Sequence, residues 1–172
     1  MDTIVNMLRI QYEDSWNMLK SVVELCPDEL WKDYNNGSSV WNNIVHTLAG
    51  IDFWLRLDYN AEFESGLKPF LPDNIAEKIL SDEWCGKDGG SMTKDQIREC
   101  FKKLDIKKDE FFDSLNDGML DRKIVDGMEF TYLSVVCAQI RHIMCHVGIC
   151  QEAVYAYSGK DIPWIAFGET AQ

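Results

Sequence analysis

Histidine and basic residues are scarce in this chain. Among 172 residues there are only three histidines, His46, His142 and His146. Lysine and arginine together number 17 against 29 acidic residues, which leaves a formal net charge of -12. Because an acidic surface repels phosphate backbones, we expect no nucleic-acid partner.

Several well-known catalytic motifs are also missing. The sequence has no glycine-rich phosphate loop, no Walker motif, no Ser/His/Asp arrangement and no Glu-x-x-His di-iron motif, so these chemistries are disfavoured. Its six cysteines form no CxxC pair, and three of them, Cys137, Cys145 and Cys150, share one predicted helix. This pattern favours free, mostly buried thiols in a reducing compartment.

Neither a secretory nor a membrane segment is expected. The amino-terminal residues follow an amphipathic pattern and do not resemble a signal peptide. The longest apolar segment, residues 130–157, is interrupted by Arg141 and two histidines, which disfavours a membrane span. We therefore expect a cytoplasmic protein that does not enter membranes.

Apolar residues at three- and four-residue steps predict four long helices. We place them at about residues 2–25, 38–58, 93–115 and 131–159. A stretch rich in proline and glycine, residues 59–92, joins the second helix to the third and contains a helical turn or two at 74–84. The sequence thus predicts a single all-α domain over residues 1–172, a four-helix bundle with a long crossover between helices 2 and 3.

Local signals mark the ends of these helices. Ser38 or Ser39 can cap the second helix, and a capping box begins at Thr93 before the third. Gly159 is expected to end the fourth helix. The connector 119–130 includes a short piece with strand propensity, and the apolar tail 162–167 is expected to fold back on the bundle or across a dimer partner.

The three histidines are the strongest functional signal. His142 and His146 are four residues apart, so on a helix they share one face, the geometry in which two imidazoles can bind one metal ion. His46 lies in the middle of another apolar helical segment, and we expect the fold to bring it to the pair. The alternative is that these residues are ordinary core histidines.

Two blocks of sequence resemble a known family. Residues 40–50, around His46, and residues 132–148, with His142 and His146 in the pattern H-x-x-x-H-x-G, are similar to the DinB-like family. The helical layout agrees over nearly the whole chain. Relatives often have an arginine just before this glycine and a glutamine just after it, whereas Val147 and Ile149 stand here.

The resemblance implies a fold, a ligand set and an activity. DinB-like proteins are four-helix bundles and commonly homodimers, so a homodimer is expected. Many bind a divalent metal through three histidines, which correspond here to His46, His142 and His146. Characterised relatives include bacillithiol S-transferases and a mycothiol-dependent maleylpyruvate isomerase. By this resemblance the chain is a metal-dependent transferase that activates a low-molecular-weight thiol for attack on a small-molecule electrophile.

Three imidazoles would leave a divalent ion with open positions for water or substrate. Nitrogen ligation suits zinc or nickel, and also iron or cobalt. Two alternatives to a thiol transferase stay open at this point. One is a metal-dependent hydrolase, and the other is a non-catalytic bundle that binds a ligand or partner, with a structural metal or none.

Five further residues are weaker candidates. Gln139 and Asn42 lie one helical turn from predicted ligands and can orient an imidazole or a substrate. Cys150 lies one turn beyond His146 and can supply a fourth ligand, although packing is its more common role. Tyr12 and Trp16 can line the site, but filling the core is the stronger interpretation.

Overall fold

The computed structural model describes residues 2–33, 38–79 and 90–166, and the regular secondary structure of this part is entirely helical. Its α-helices are α1 (Thr3–Leu25), α2 (Asp28–Trp31), α3 (Val40–Trp54), α4 (Asp73–Ile79), α5 (Lys94–Ser114) and α6 (Tyr132–Ser158). Short 3-10 turns occur at Lys68–Phe70 and Asp117–Met119. The prediction of an all-α fold is confirmed.

The four long helices enclose a shared hydrophobic core. α1 packs against α5 and α6, and α3 packs against the same two helices. The segment from α3 to α5 carries α4 and forms the predicted crossover. Because α3 and α6 are neighbours, the helix with His46 lies beside the helix with the histidine pair. The four-helix bundle with a long crossover is confirmed.

Tyr12 and Trp16 belong to this core. Both side chains are fully buried in α1, and Trp16 donates a hydrogen bond from Nε1 to Asp105 Oδ1 of α5 at 2.7 Å. The Tyr12 ring meets Phe112 edge-on, with centroids 5.3 Å apart. Both aromatic residues fill the core of the bundle, which is the role that the sequence favoured over lining the site.

α3 ends at Trp54, whereas the sequence predicted a helix to about residue 58. The guanidinium carbon of Arg56 lies 4.6 Å from the Phe53 ring centroid, 4.7 Å from that of Tyr59 and 5.0 Å from that of Phe63. The Tyr59 hydroxyl also donates to the Trp54 carbonyl oxygen. These contacts turn the chain back on itself, and a continued helix would prevent them.

The other predicted helix ends are observed with one exception. Thr93 and Thr131 form capping boxes at the starts of α5 and α6, and Gly159 ends α6 with a φ of 70°. Ser39 occupies the N-cap of α3, but its side chain makes no capping hydrogen bond. The stretch predicted to favour a strand forms one isolated β-bridge, between Lys123 and Thr131.

The tail folds back on the bundle, since Ile162 and Ile165 are buried in its core while Trp164 is exposed. Phe167 of the predicted apolar tail lies outside the described residues. The predicted turn at 74–84 is present as α4, and its residues from 80 onward lie outside the described part as well.

α6 is long and apolar enough, by length and composition alone, to cross a membrane: its 27 residues include a window of mean hydropathy 1.4. The core helices of soluble proteins pass the same test, so this is weak evidence. Here the helix packs against α1 and α3, and of its two histidines His146 is buried and His142 is half-buried.

Candidate metal centre

The structure brings the three histidines together. His46 projects from α3, and His142 and His146 project from α6 one turn apart. The potential ligand nitrogens of the three imidazoles all lie within 4.8 Å of one another. The ring centroid of His46 lies 5.3 Å from that of His142 and 5.2 Å from that of His146. The expectation that His46 joins the pair is confirmed, and the cluster could hold a metal ion.

The chemistry of this donor set fits a divalent transition metal. Among the described residues the group contains only imidazole nitrogens, with no carboxylate or thiol. Neutral imidazoles are ligands that zinc, nickel, iron and cobalt accept. Three protein ligands leave coordination positions for a water or a substrate, which is the arrangement of catalytic sites.

Asn43 orients one of the imidazoles. Its Nδ2 donates to the carbonyl oxygen of Ser39 at 2.9 Å and to Ser38 Oγ at 3.1 Å, which leaves Oδ1 as the acceptor. This Oδ1 lies 3.0 Å from Nδ1 of His146. His146 therefore carries its proton on Nδ1, and the lone pair on Nε2 is available to a metal.

His146 is also held in its neutral form. Its side chain is only 7% exposed. Burial, followed by the nearby His142 and His46, lowers its pKa from 6.5 to about 4. A metal ion competes with protons for the same nitrogen, so a histidine that stays neutral at mildly acidic pH is ready for ligation.

We expect the stability of the metal-free protein to fall between pH 6.5 and pH 4. In this range His146 takes up a proton in the unfolded chain but not in the folded one, so its contribution is fully present above pH 6.5 and is lost on acidification. One pKa unit corresponds to about 1.4 kcal/mol, and because solvent partly screens the cluster we expect a loss of about 2 kcal/mol.

This pH dependence can be measured by urea unfolding at pH 7 and pH 4.5, with His146→Gln as the control. Glutamine keeps a donor for Asn43 but does not titrate, so the variant should lose less stability than the wild type over this range. Equal losses in the two proteins would show that His146 does not carry the effect.

Gly50 makes room for one imidazole. A Cβ atom built at this position would lie 2.8 Å from Cε1 of His142 and 3.2 Å from its Nδ1. Any residue larger than glycine therefore displaces the His142 ring. Gly50 lies on α3 with His46, but the close contact is with His142 of α6.

A cavity of about 410 Å³ borders the cluster. His46 and His142 form part of its wall, and Ser134 and Gln139 are the other polar residues. The remaining wall is apolar and consists of Gly50, Trp54, Phe130, Val135 and Ala138. The site thus has an adjoining space in which a small molecule can approach two of the three imidazoles.

The structure gives different outcomes for the weaker candidate residues Cys150, Gln139 and Asn42. Cys150 is outside the histidine cluster, and burial raises the pKa of its thiol to about 12, which is a poor state for a metal ligand. Gln139 lines the cavity, but its Oε1 has no hydrogen-bond partner among the described residues, so that atom orients no imidazole. Asn42 is fully buried in α3. The orienting residue is Asn43, whose role sequence analysis missed.

We expect Asn43→Ala to weaken zinc binding about tenfold, because loss of a partner to a ligating histidine typically costs 10- to 100-fold in affinity. Competition with a chelating dye measures this change. Ser38→Ala is the control, since it removes only one of the two bonds that anchor Asn43. If both variants bind zinc like the wild type, the Asn43–His146 hydrogen bond has no part in metal binding.

Comparisons of the chain with protein-family models, with curated proteins and with solved structures found no match. The resemblance to the DinB-like family therefore stays a prediction carried by residues 40–50 and 132–148.

Proposed function

We propose that His46, His142 and His146 bind a divalent transition metal and that the protein is a metal-dependent transferase. Zinc and nickel are the metals that we favour. The protein would transfer a low-molecular-weight thiol to a small electrophile. The observation that carries this proposal is the convergence of three imidazoles, with ligand nitrogens within 4.8 Å of one another, beside a cavity of about 410 Å³.

The chain's own residues prepare the site for this role. Asn43 holds His146 in the tautomer that leaves Nε2 available, and burial keeps that imidazole neutral. Gly50 leaves space for the His142 ring. A divalent ion held there would lower the pKa of a bound thiol, which makes the sulfur a nucleophile near neutral pH.

The reaction itself is a nucleophilic substitution at the electrophilic carbon, with the thiol sulfur as the nucleophile. The thiol gives up its proton, its sulfur forms a bond to the electrophilic carbon, and the electron pair of the broken bond leaves with the departing group, which takes up a proton. The cavity beside His46 and His142 offers space for the electrophile. Structural metal sites are usually closed by four protein ligands, so the cavity supports a catalytic site over a purely structural one.

The resemblance supports the choice of thiol transfer over hydrolysis. Bacillithiol S-transferases and mycothiol-dependent maleylpyruvate isomerase are characterised members of the DinB-like family. The histidines of the two matching blocks are the residues that meet in the structure. The substitutions at Val147 and Ile149 leave the identity of the thiol and of the electrophile open.

Elemental analysis of protein purified without chelator or a nickel column tests the metal. We expect about one equivalent of a transition metal per chain, and none in a His142→Ala/His146→Ala double variant. The loaded protein is then mixed with bacillithiol, mycothiol or glutathione and an electrophile such as monochlorobimane. Thiol-dependent turnover that the double variant lacks would support a transferase. Metal without thiol turnover would contradict it, and ester or amide cleavage would show a hydrolase.

A further inference from the structure

The cavity beside the histidines has the size and lining of a small-molecule site. Its volume of about 410 Å³ lies in the range of roughly 300–1,000 Å³ that is usual for such sites. Aside from the imidazoles, Ser134 and Gln139, its wall is apolar. Ser134 is already engaged, because its hydroxyl donates to the Thr131 carbonyl oxygen and accepts from the Thr131 N–H.

The charge of the wall selects against ionic ligands. No lysine, arginine, aspartate or glutamate is among the described residues that line the cavity. In the metal-free protein, a carboxylate or sulfonate in the apolar part of the cavity would thus lose hydration without gaining a countercharge. Two aromatic residues form the wall instead: Phe130, which is 52% exposed, and Trp54, whose ring centroid lies 6.5 Å from that of Phe130.

Gln139 supplies an unused polar group at this wall. Its side chain is 96% buried, and its Oε1 has no hydrogen-bond partner among the described residues. A buried acceptor without a partner costs about 1–3 kcal/mol. Gln139 lines the cavity, so a ligand there that carries a hydroxyl or N–H group can satisfy this acceptor.

We propose that this cavity binds a neutral, largely apolar small molecule, aromatic or branched, that carries a hydrogen-bond donor for Gln139. As the substrate class of the transferase this assignment rests on the proposed function, because the ligand would lie beside His46 and His142. The apolar wall holds the body of the molecule, and Gln139 sets its orientation.

Benzyl alcohol and benzoate are a matched pair of probes for the charge preference. The full-length protein, free of metal, is titrated with each and followed by NMR, with intermolecular contacts to Trp54 and Val135 as the mark of binding in the cavity. We expect benzyl alcohol to bind at least tenfold more tightly than benzoate. Equal affinities, or no contact of benzyl alcohol with these residues, would overturn the proposal.

Ala138→Leu tests the location, since the larger side chain fills part of the cavity and leucine is tolerated in a helix. We expect benzyl alcohol to bind at least tenfold more weakly to this variant, provided that its thermal unfolding shows an intact fold. If the variant does not fold, the contacts to Trp54 and Val135 in the wild type decide the location.

Gln139→Met tests the polar contact. The wild type should prefer benzyl alcohol to toluene by about three- to tenfold, and the variant should lose this preference while it still binds toluene. A preference that persists in Gln139→Met would show that Gln139 does not contact the hydroxyl group.

A zinc titration of the wild type separates this proposal from the proposed function. Failure of the wild type to bind zinc would overturn the metal site, while the benzyl alcohol titration would still decide the ligand class. Normal zinc binding without benzyl alcohol binding would overturn only the ligand class.

Discussion

Replacing His142 by alanine is expected to lower the affinity for zinc by at least a hundredfold. Zinc sites in proteins bind with roughly 10–16 kcal/mol, so each of three ligands carries several kcal/mol. Each 1.4 kcal/mol corresponds to about a tenfold change in affinity. His46→Ala and His146→Ala should give losses of similar size, measured by competition with a chelating dye.

Cys145→Ala is the control for these variants. Cys145 is exposed on the same helix, next to His146 in sequence, and it is outside the histidine cluster. Its replacement should leave zinc affinity unchanged. If all three histidine variants bind zinc as tightly as the wild type does, the cluster is a group of packed core histidines and the proposed function falls.

The second large effect is expected from Gly50→Ala. The new Cβ would lie 2.8 Å from Cε1 of His142, so the imidazole has to shift from its observed position beside the other two. The atoms that the new Cβ meets belong to a side chain and not to the backbone, and alanine favours the helix over glycine by about 1 kcal/mol. We therefore expect 10- to 100-fold weaker zinc binding with no loss of stability, a combination that general damage to the fold would not produce.

Gly148→Ala is the matched glycine control. Gly148 lies in α6, two residues after His146, and a Cβ atom there meets nothing within 4 Å. This variant should keep wild-type zinc affinity and gain about 0.5–1 kcal/mol of stability from the improved helix propensity. Wild-type zinc affinity in Gly50→Ala would show that the observed position of the His142 ring is not the one that binds metal.

Two further expected effects concern the imidazole of His146. The Asn43→Ala variant tests whether the hydrogen bond to Nδ1 of His146 sets the tautomer of that imidazole. The pH dependence of stability tests whether burial keeps that ring neutral. Together with the Gly50 variant, they separate the tautomer, the charge and the position of the imidazoles as contributions to metal affinity.

The helices and the histidine pair could be predicted from the sequence because both depend on local periodicity. Apolar residues at three- and four-residue steps define α1, α3, α5 and α6, and the four-residue spacing alone places His142 above His146 on one face. The capping boxes at Thr93 and Thr131 are equally local, since the hydrogen bonds they make span three residues. That His46 would join the pair was expected from its place in the middle of a second apolar helical segment, and the resemblance implies the same three ligands.

The early end of α3 could not be predicted in this way. Residues up to 58 continue an acceptable helical pattern, and the helix stops at Trp54 because the rings of Tyr59 and Phe63 pack around Arg56. Such contacts within a loop compete with the helix, and their outcome depends on packing that the apolar pattern does not encode.

The sequence by itself determined the type of fold and the identity of the three histidines as the candidate site. Only the tertiary structure decided that Asn43 orients an imidazole, because the relevant bond joins α3 to α6 across 103 residues of sequence. The same holds for the cavity between Trp54 and Phe130. Helical register places residues on a face, but the rotation and height of two packed helices decide which side chains meet across them.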